Sequence, residues 1–178
     1  KNIFEIFMIW NGGMSFHGGL VGVIVAVTIF GKKHKIDSFI FLDLISLAAP
    51  IGIFLGRIAN FINSELYGRE TDLAWSVKFI TIDNIPRHAS QIYEAIFEGF
   101  ILFILLNFFY KKKYLSKPGL ISSIFLIYYS IFRFFLEFFR EPDPQLGFLF
   151  FQLTLGQLIS ITFLIFGAYL FFIKKNEI

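Results

Sequence analysis

The residues with the greatest chemical reach in this chain are its arginines, Arg57, Arg69, Arg87, Arg133 and Arg140, and one histidine set among glycines, His17. Arginine presents a planar fork of donors that grips a phosphate or carboxylate in two places, where lysine offers a point charge. In IYYSIFRFFLEFFREPD, Tyr129, Arg133 and Glu137 fall at i, i+4 and i+8, with Arg140 three residues further on. At about 3.6 residues per turn they line one helical face. The surrounding residues are apolar, and an ionisable group inside a bilayer costs about 2.5–3.5 kcal/mol even on a lenient scale, so Arg133 requires a partner. Two readings meet that need: an Arg133–Glu137 ion pair that locks helices together, and an anion site built on the guanidinium.

A second polar block, GRIANFINSELYGRE, places Arg57 and Asn60 one turn apart and continues through Asn63, Glu65 and Gly68. Asn and Gly tolerate the left-handed conformation, so a helix cap or turn explains Gly68 well. It does not explain Arg57. In RHASQIYEAIFEG, Glu94 and Glu98 are again i, i+4 and read as structural partners for an outer arginine. His17 lies between Gly12–Gly13 and Gly18–Gly19. An imidazole of pKa about 6.5 suits proton transfer near neutrality, although a lone histidine in an apolar region also fits a hydrogen-bonded structural role.

Other chemistries lack their residues. With no cysteine there is no thiolate nucleophile, disulfide or cysteine-ligated metal. His17, His34 and His88 lack metal-ligand spacing, and no metal or cofactor is expected. Ser15 stands two residues before His17 without a GxSxG turn, and neither GxGxxG nor GxxxxGK occurs.

The elements that must position these groups follow from composition. Of 178 residues, 56% are hydrophobic and 16% charged, with a mean hydropathy of +0.70; a soluble domain carries about 25% charged residues, so lipid is the expected solvent. Spanning a hydrocarbon core of about 30 Å takes about 20 mostly apolar residues. Five stretches approach this: Ser15–Phe30, Ser38–Gly56, Ala89–Tyr110, Leu120–Phe139 and Leu153–Ile173. The fold expected is an all-α integral membrane protein, one polytopic domain over residues 1–178 with about five transmembrane helices and a polar loop at about 64–88. That loop is long enough for a small cap outside the membrane.

Nine of the eleven lysines fall in three alternate connections: Lys32, Lys33 and Lys35; Lys111, Lys112, Lys113 and Lys117; Lys174 and Lys175. Short cytoplasmic segments accumulate Lys and Arg, so these connections and the C-terminus are expected inside. His17, the 64–88 loop and the REPDPQ turn (Arg140–Gln145) then lie outside. All five arginines sit on that outer side against the usual trend, which calls for a ligand or partner requiring guanidinium. The net charge of +3 is too small to suggest nucleic acid.

Taken together, GGMSFHGGL (Gly12–Leu20), GRIANFINSELYGR (Gly56–Arg69), RHASQIYEAIFEG (Arg87–Gly99), FRFFLEFFREPD (Phe132–Asp143) and LTLGQLIS (Leu153–Ser160) closely resemble prolipoprotein diacylglyceryl transferases. The resemblance implies a multi-pass enzyme of the bacterial inner membrane that moves the diacylglyceryl group of phosphatidylglycerol to the lipobox cysteine of a prolipoprotein signal peptide. The products would be a thioether and glycerol 1-phosphate. Such enzymes usually have seven spans, so a chain beginning at Lys1 is expected to start at the third. By resemblance, His17 takes the proton of the substrate thiol. Arg57 binds the phosphatidylglycerol phosphate, with Asn60, Glu65 and Gly68 shaping the headgroup site. Arg133, oriented by Tyr129 and Glu137 and supported by Arg140, stabilises the departing phosphate. Two departures from the pattern are Ala89, where many members carry proline, and a short polar loop. From the residues alone, a lipid-binding protein or transporter using the outer arginines as an anion site is the other reading.

Overall fold

The computed structural model describes residues 16–112, 117–142 and 147–176. Helix α1 (Phe16–His34) turns sharply into α2 (Ser38–Ile62), whose start is capped by Asp37 accepting from the Phe39 amide at 2.9 Å. A 22-residue helix, Ser90–Lys111, follows the outer loop. It comprises α3 (Ser90–Glu94), a π-helical stretch (Ala95–Ile101) and α4 (Leu102–Lys111). Helix α5 (Leu120–Leu136) and, after a short 3₁₀ turn, α6 (Leu155–Asn176) complete the bundle.

Among the described residues, three helices are long and apolar enough to cross a membrane: Ser38–Ile62, Ser90–Lys111 and Leu155–Asn176; α5 is a shorter apolar helix. The expected second span stops at Gly56, but α2 continues to Ile62. Arg57 and Asn60 therefore project from regular helix. The turn that ends it comes later, where Ser64 and Leu66 adopt φ of 57° and 54°. At the same end of the bundle α5 stops at Leu136, short of the expected Phe139, because the chain tightens into turns from Glu137.

Burial is inverted relative to a water-soluble bundle. Asp43, Gln91, Glu94 and Glu98 are fully buried, while Leu55, Phe135, Ile165 and Phe172 are each at least 60% exposed. Apolar side chains turned outward and ionisable ones inward are what a hydrocarbon solvent selects. The apolar centre is Leu102, Leu106, Ile121 and Ile124, with Phe109, Phe125 and Phe132 packed around it. It joins α4 to α5, and α6 packs along α5.

One device holding the bundle was not legible as such in the sequence. Asp43, buried within α2, caps the start of α5 from a distance: Oδ2 accepts from the Gly119 amide at 2.8 Å, and Oδ1 from the Ser122 amide and hydroxyl at 2.7 and 2.5 Å. A carboxylate there satisfies helix donors that would otherwise be orphaned in an apolar setting and sits at the positive end of the helix dipole. Nearby, Lys174 lies over the Phe39 ring and Lys117 donates to the Lys175 carbonyl at 2.8 Å. Lysines from separate connections thus gather at one end.

The opposite end carries the loop. Strands β1 (Val77–Lys78) and β2 (Pro86–Arg87) pair antiparallel, and Phe79 tucks beneath, edge-on to Phe61. The segment 68–70 is stapled on both sides: the Gly68 amide bonds the His88 carbonyl at 3.1 Å, and the Arg69 amide bonds the Phe139 carbonyl at 2.9 Å. A Cβ at Gly68 would strike the His88 carbonyl and lie 2.8 Å from that of Phe139, so only glycine permits this approach.

Candidate functional site

Three helices converge on a cage of five ionisable side chains. Helix α2 supplies Arg57, the helix after the loop supplies Glu94 and Glu98, and α5 supplies Arg133 with Glu137 as its C-cap. Glu94 bridges both guanidiniums, with Oε2 3.0 Å from Arg57 Nε and Oε1 2.6 Å from Arg133 Nη1. Glu98 also reaches both, less closely, at 3.3 Å from Arg57 Nη2 and 3.5 Å from Arg133 Nη1. Glu137 holds Arg133 Nη2 at 2.6 Å, one turn along α5. The ion-pair reading of Arg133 is met, with Glu94 as well as Glu137, in a network shared with a second arginine.

Burial makes this arrangement consequential. The Glu94 and Glu98 side chains are 0% exposed and those of Arg133 and Arg57 11% and 16%. Charge pairs removed from water attract strongly but lose hydration, so removing one partner costs about 3–5 kcal/mol. Every member thus depends on the others, and Arg57 is the more accessible of the two cations.

Supporting contacts extend outward. Glu137 accepts from the Thr154 hydroxyl at 2.9 Å, and the Thr154 amide donates to Gln157 Oε1 at 3.0 Å. Gly156 lets this turn close on the carboxylate, since a Cβ there would lie 2.7 Å from Glu137 Oε1. The TLGQ part of LTLGQLIS, for which the sequence offered no role, is the seat of Glu137. Tyr129 lies one turn from Arg133 and faces the same charges, its ring stacked on Phe125 with centroids 5.6 Å apart.

Beside Arg57, Asn60 Nδ2 donates to Glu65 Oε2 at 2.9 Å on the exposed side, and the Glu65 amide donates to the Asn60 carbonyl at 2.8 Å. Gln91 Nε2 and the Ser90 hydroxyl hold the Glu65 and Leu66 carbonyls at 2.6 and 3.2 Å, so HASQ fixes this turn. Arg57, Asn60 and Glu65 are thereby brought together at the edge of the cage.

The remaining arginines serve the loop. Arg87 donates to Asp83 Oδ2 at 2.7 Å and to the Gly68 carbonyl at 3.2 Å, approaches Glu141 at 3.5 Å and stacks on Tyr67. Its hydrogen bonds hold the Asp83 carboxyl below the usual range, and Asp83 raises Arg87 in return. Arg69 Nε donates to the Arg140 carbonyl at 2.9 Å, and Arg140 pairs through its backbone with Gly68. Gly68 and Arg140 thus belong to the staple above the cage. His88, pushed down by burial, contacts Tyr93, whose hydroxyl also accepts from Trp75 Nε1 at 3.0 Å.

His17 falls in the first turn of α1; its side chain lies outside the described residues, as do Gly12, Gly13, Ser15 and the Asp143–Gln145 part of the REPDPQ turn. The contacts of α1 with α2 lie beside the turn that joins them, at Val27, Phe30 and Gly31.

Comparison with known proteins places these residues in context. The family model described as prolipoprotein diacylglyceryl transferase matches residues 1–173. The chain is 51% identical over 171 residues to the phosphatidylglycerol--prolipoprotein diacylglyceryl transferase of Rickettsia felis, covering 96% of this chain and 66% of that protein. It is 52% identical over 178 residues to the protein of the same name from Ehrlichia canis, covering 98% and 67%. For Wolbachia pipientis wMel the values are 50% over 169 residues, 94% and 64%. The chain therefore spans about two thirds of the length of the relatives it matches.

Proposed function

We propose, from the premise that this chain belongs to the prolipoprotein diacylglyceryl transferase family, that it transfers the diacylglyceryl group of phosphatidylglycerol to the lipobox cysteine of prolipoproteins. The observation that carries this reading is the pair of guanidiniums, Arg57 and Arg133, held among apolar helices by a shared glutamate, with the polar pair Asn60 and Glu65 at the end of α2. The relatives' names favour transfer over a lipid-binding or transport role.

In the reaction, the cysteine thiol gives its proton to the His17 imidazole, and sulfur attacks the glyceryl carbon that carries the phosphate. The carbon–sulfur bond forms as the carbon–oxygen bond breaks, and the electron pair leaves on glycerol 1-phosphate. A free thiol of pKa about 8.5 is only a few per cent thiolate near neutrality, so a general base contributes about 10²–10⁴ in rate. Arg57, the more exposed cation, grips the lipid phosphate, and Asn60, Glu65 and the turn anchored through Gly68 bound the headgroup. Arg133, fixed by Glu94 and Glu137 with Tyr129 beside it, offers donors aimed at the charge that grows on the leaving oxygen. Arg140 steadies the roof through its pairing with Gly68.

The enzyme sits in the bacterial inner membrane with five spans in this chain: α1 and α5 cross alongside the three longer helices. The lysine-bearing connections and C-terminus face the cytoplasm, and the cage opens to the outer side. The test is mass spectrometry of a lipobox peptide incubated with phosphatidylglycerol and the purified protein. A diacylglyceryl increment on cysteine, lost in His17→Ala that retains its thermal transition, is expected. An unmodified peptide from folded protein that binds the lipid would replace the transferase with a lipid carrier.

A further inference from the structure

The cage has a charge problem that its role as a phosphate site makes acute. Two guanidiniums face three carboxylates, so the fully ionised cluster carries one surplus negative charge in an apolar setting before any substrate arrives. A lipid phosphodiester brings another, and it must bind donors that the glutamates already occupy. Ions without compensation are disfavoured there, so a carboxylate must leave the guanidiniums and lose its charge as the phosphate enters.

Geometry singles out which one. Glu94 has contacts of 2.6 and 3.0 Å to the two arginines, and Glu137 has 2.6 Å to Arg133 and 2.9 Å from the Thr154 hydroxyl. Glu98 has only 3.3 and 3.5 Å, the loosest hold on the guanidiniums of the three carboxylates. It also sits on the π-helical stretch Ala95–Ile101, a backbone form that occurs mostly at functional sites. The charged and titratable groups facing it are Arg57 from α2, Glu94 from its own helix, and Arg133 and Tyr129 from α5, with Glu137 beyond Arg133.

We propose that Glu98 is a proton-coupled placeholder: it occupies Arg57 and Arg133 in the empty site, and phosphatidylglycerol displaces it as it takes up one proton from the outer aqueous phase. The bookkeeping balances. A carboxylate becomes a neutral acid, a phosphodiester monoanion takes its donors, and the site keeps the same net charge. The acid then stands beside the phosphate as a donor. This rests on phosphatidylglycerol being the ligand, as proposed above.

The test is calorimetric titration of the detergent-purified full-length protein with short-chain phosphatidylglycerol, in buffers of differing ionisation enthalpy, between about pH 5 and pH 9. Uptake of about one proton per lipid is expected on the alkaline side, where affinity falls about tenfold per pH unit. In Glu98→Gln the uptake disappears and the slope flattens. Binding by the wild type without proton uptake overturns the proposal and leaves the transferase reading intact, whatever the variant does. An unchanged slope in folded Glu98→Gln overturns the assignment to Glu98. Absence of lipid binding at every pH overturns both readings, whereas proton-coupled binding without any peptide modification supports the placeholder and removes the transferase.

Discussion

Glu94 is the side chain on which two arginines depend at once, which makes its carboxylate worth more than that of either neighbour. With Oε1 and Oε2 at 2.6 and 3.0 Å from Arg133 and Arg57, Glu94→Gln leaves two partly buried cations facing a neutral amide. The expected loss is about 3–5 kcal/mol, visible as a lowered thermal transition in detergent. An unchanged transition contradicts the shared-carboxylate account. His17 is a different case, being assigned chemistry and no load in the bundle. Its replacement by alanine is expected to lower transfer by about 10²–10⁴ with the thermal transition preserved; a matching fall in stability would make it a structural histidine.

At the scale of elements, the staple and the Asp43 cap make separate predictions. Gly68→Ala forces a methyl against two carbonyls and is expected to cost about 1–3 kcal/mol, read as faster hydrogen exchange at the Gly68 and His88 amides. Asp43→Ala frees the Gly119 and Ser122 amides and is expected to cost about 1–3 kcal/mol per orphaned donor, with α5 fraying first. The loop also carries a pH signature. His88 is depressed below its ordinary 6.5 by burial, so its contribution to stability is present above that pH and is lost as pH falls through the folded value. Asp83, held below 3.8 by Arg87, adds a contribution lost only further into acid. Trp75 fluorescence in a Trp10→Phe background should therefore change below about pH 6.5; a flat trace down to about pH 3 contradicts this. The Asp43 cap, the Gly68 staple and the π-helical stretch Ala95–Ile101 were not legible beforehand. The Asp43 cap and the Gly68 staple are contacts between residues far apart in the chain, and the π-helical turns leave no mark in an i, i+4 pattern that α-helix satisfies equally well.

For the whole molecule, the clustering of lysines in alternate connections was readable because it is a one-dimensional property of the sequence, and the orientation proposed above rests on it. The spacing of Glu94 and Glu98 and of Arg133 and Glu137 also anticipated the pairing, since helical geometry turns such spacing into shared faces. What spacing did not convey is that Arg69 and Arg87 are spent on the loop while only Arg57 and Arg133 enter the cage, a division that depends on tertiary contacts. The absence of cysteine makes the orientation easy to test. Thr81→Cys is expected to react with an impermeant maleimide on intact spheroplasts, and Lys112→Cys only after permeabilisation; the reverse pattern inverts the topology.

The central claim is that guanidinium geometry at Arg57 and Arg133, more than charge alone, handles the phosphate. Measuring diacylglyceryl transfer to a lipobox peptide by Arg133→Lys, with folding verified by its thermal transition, tests it most directly. A loss in rate of about 10²–10³ is expected, the scale of removing one transition-state donor. Transfer within twofold of the wild type would contradict it.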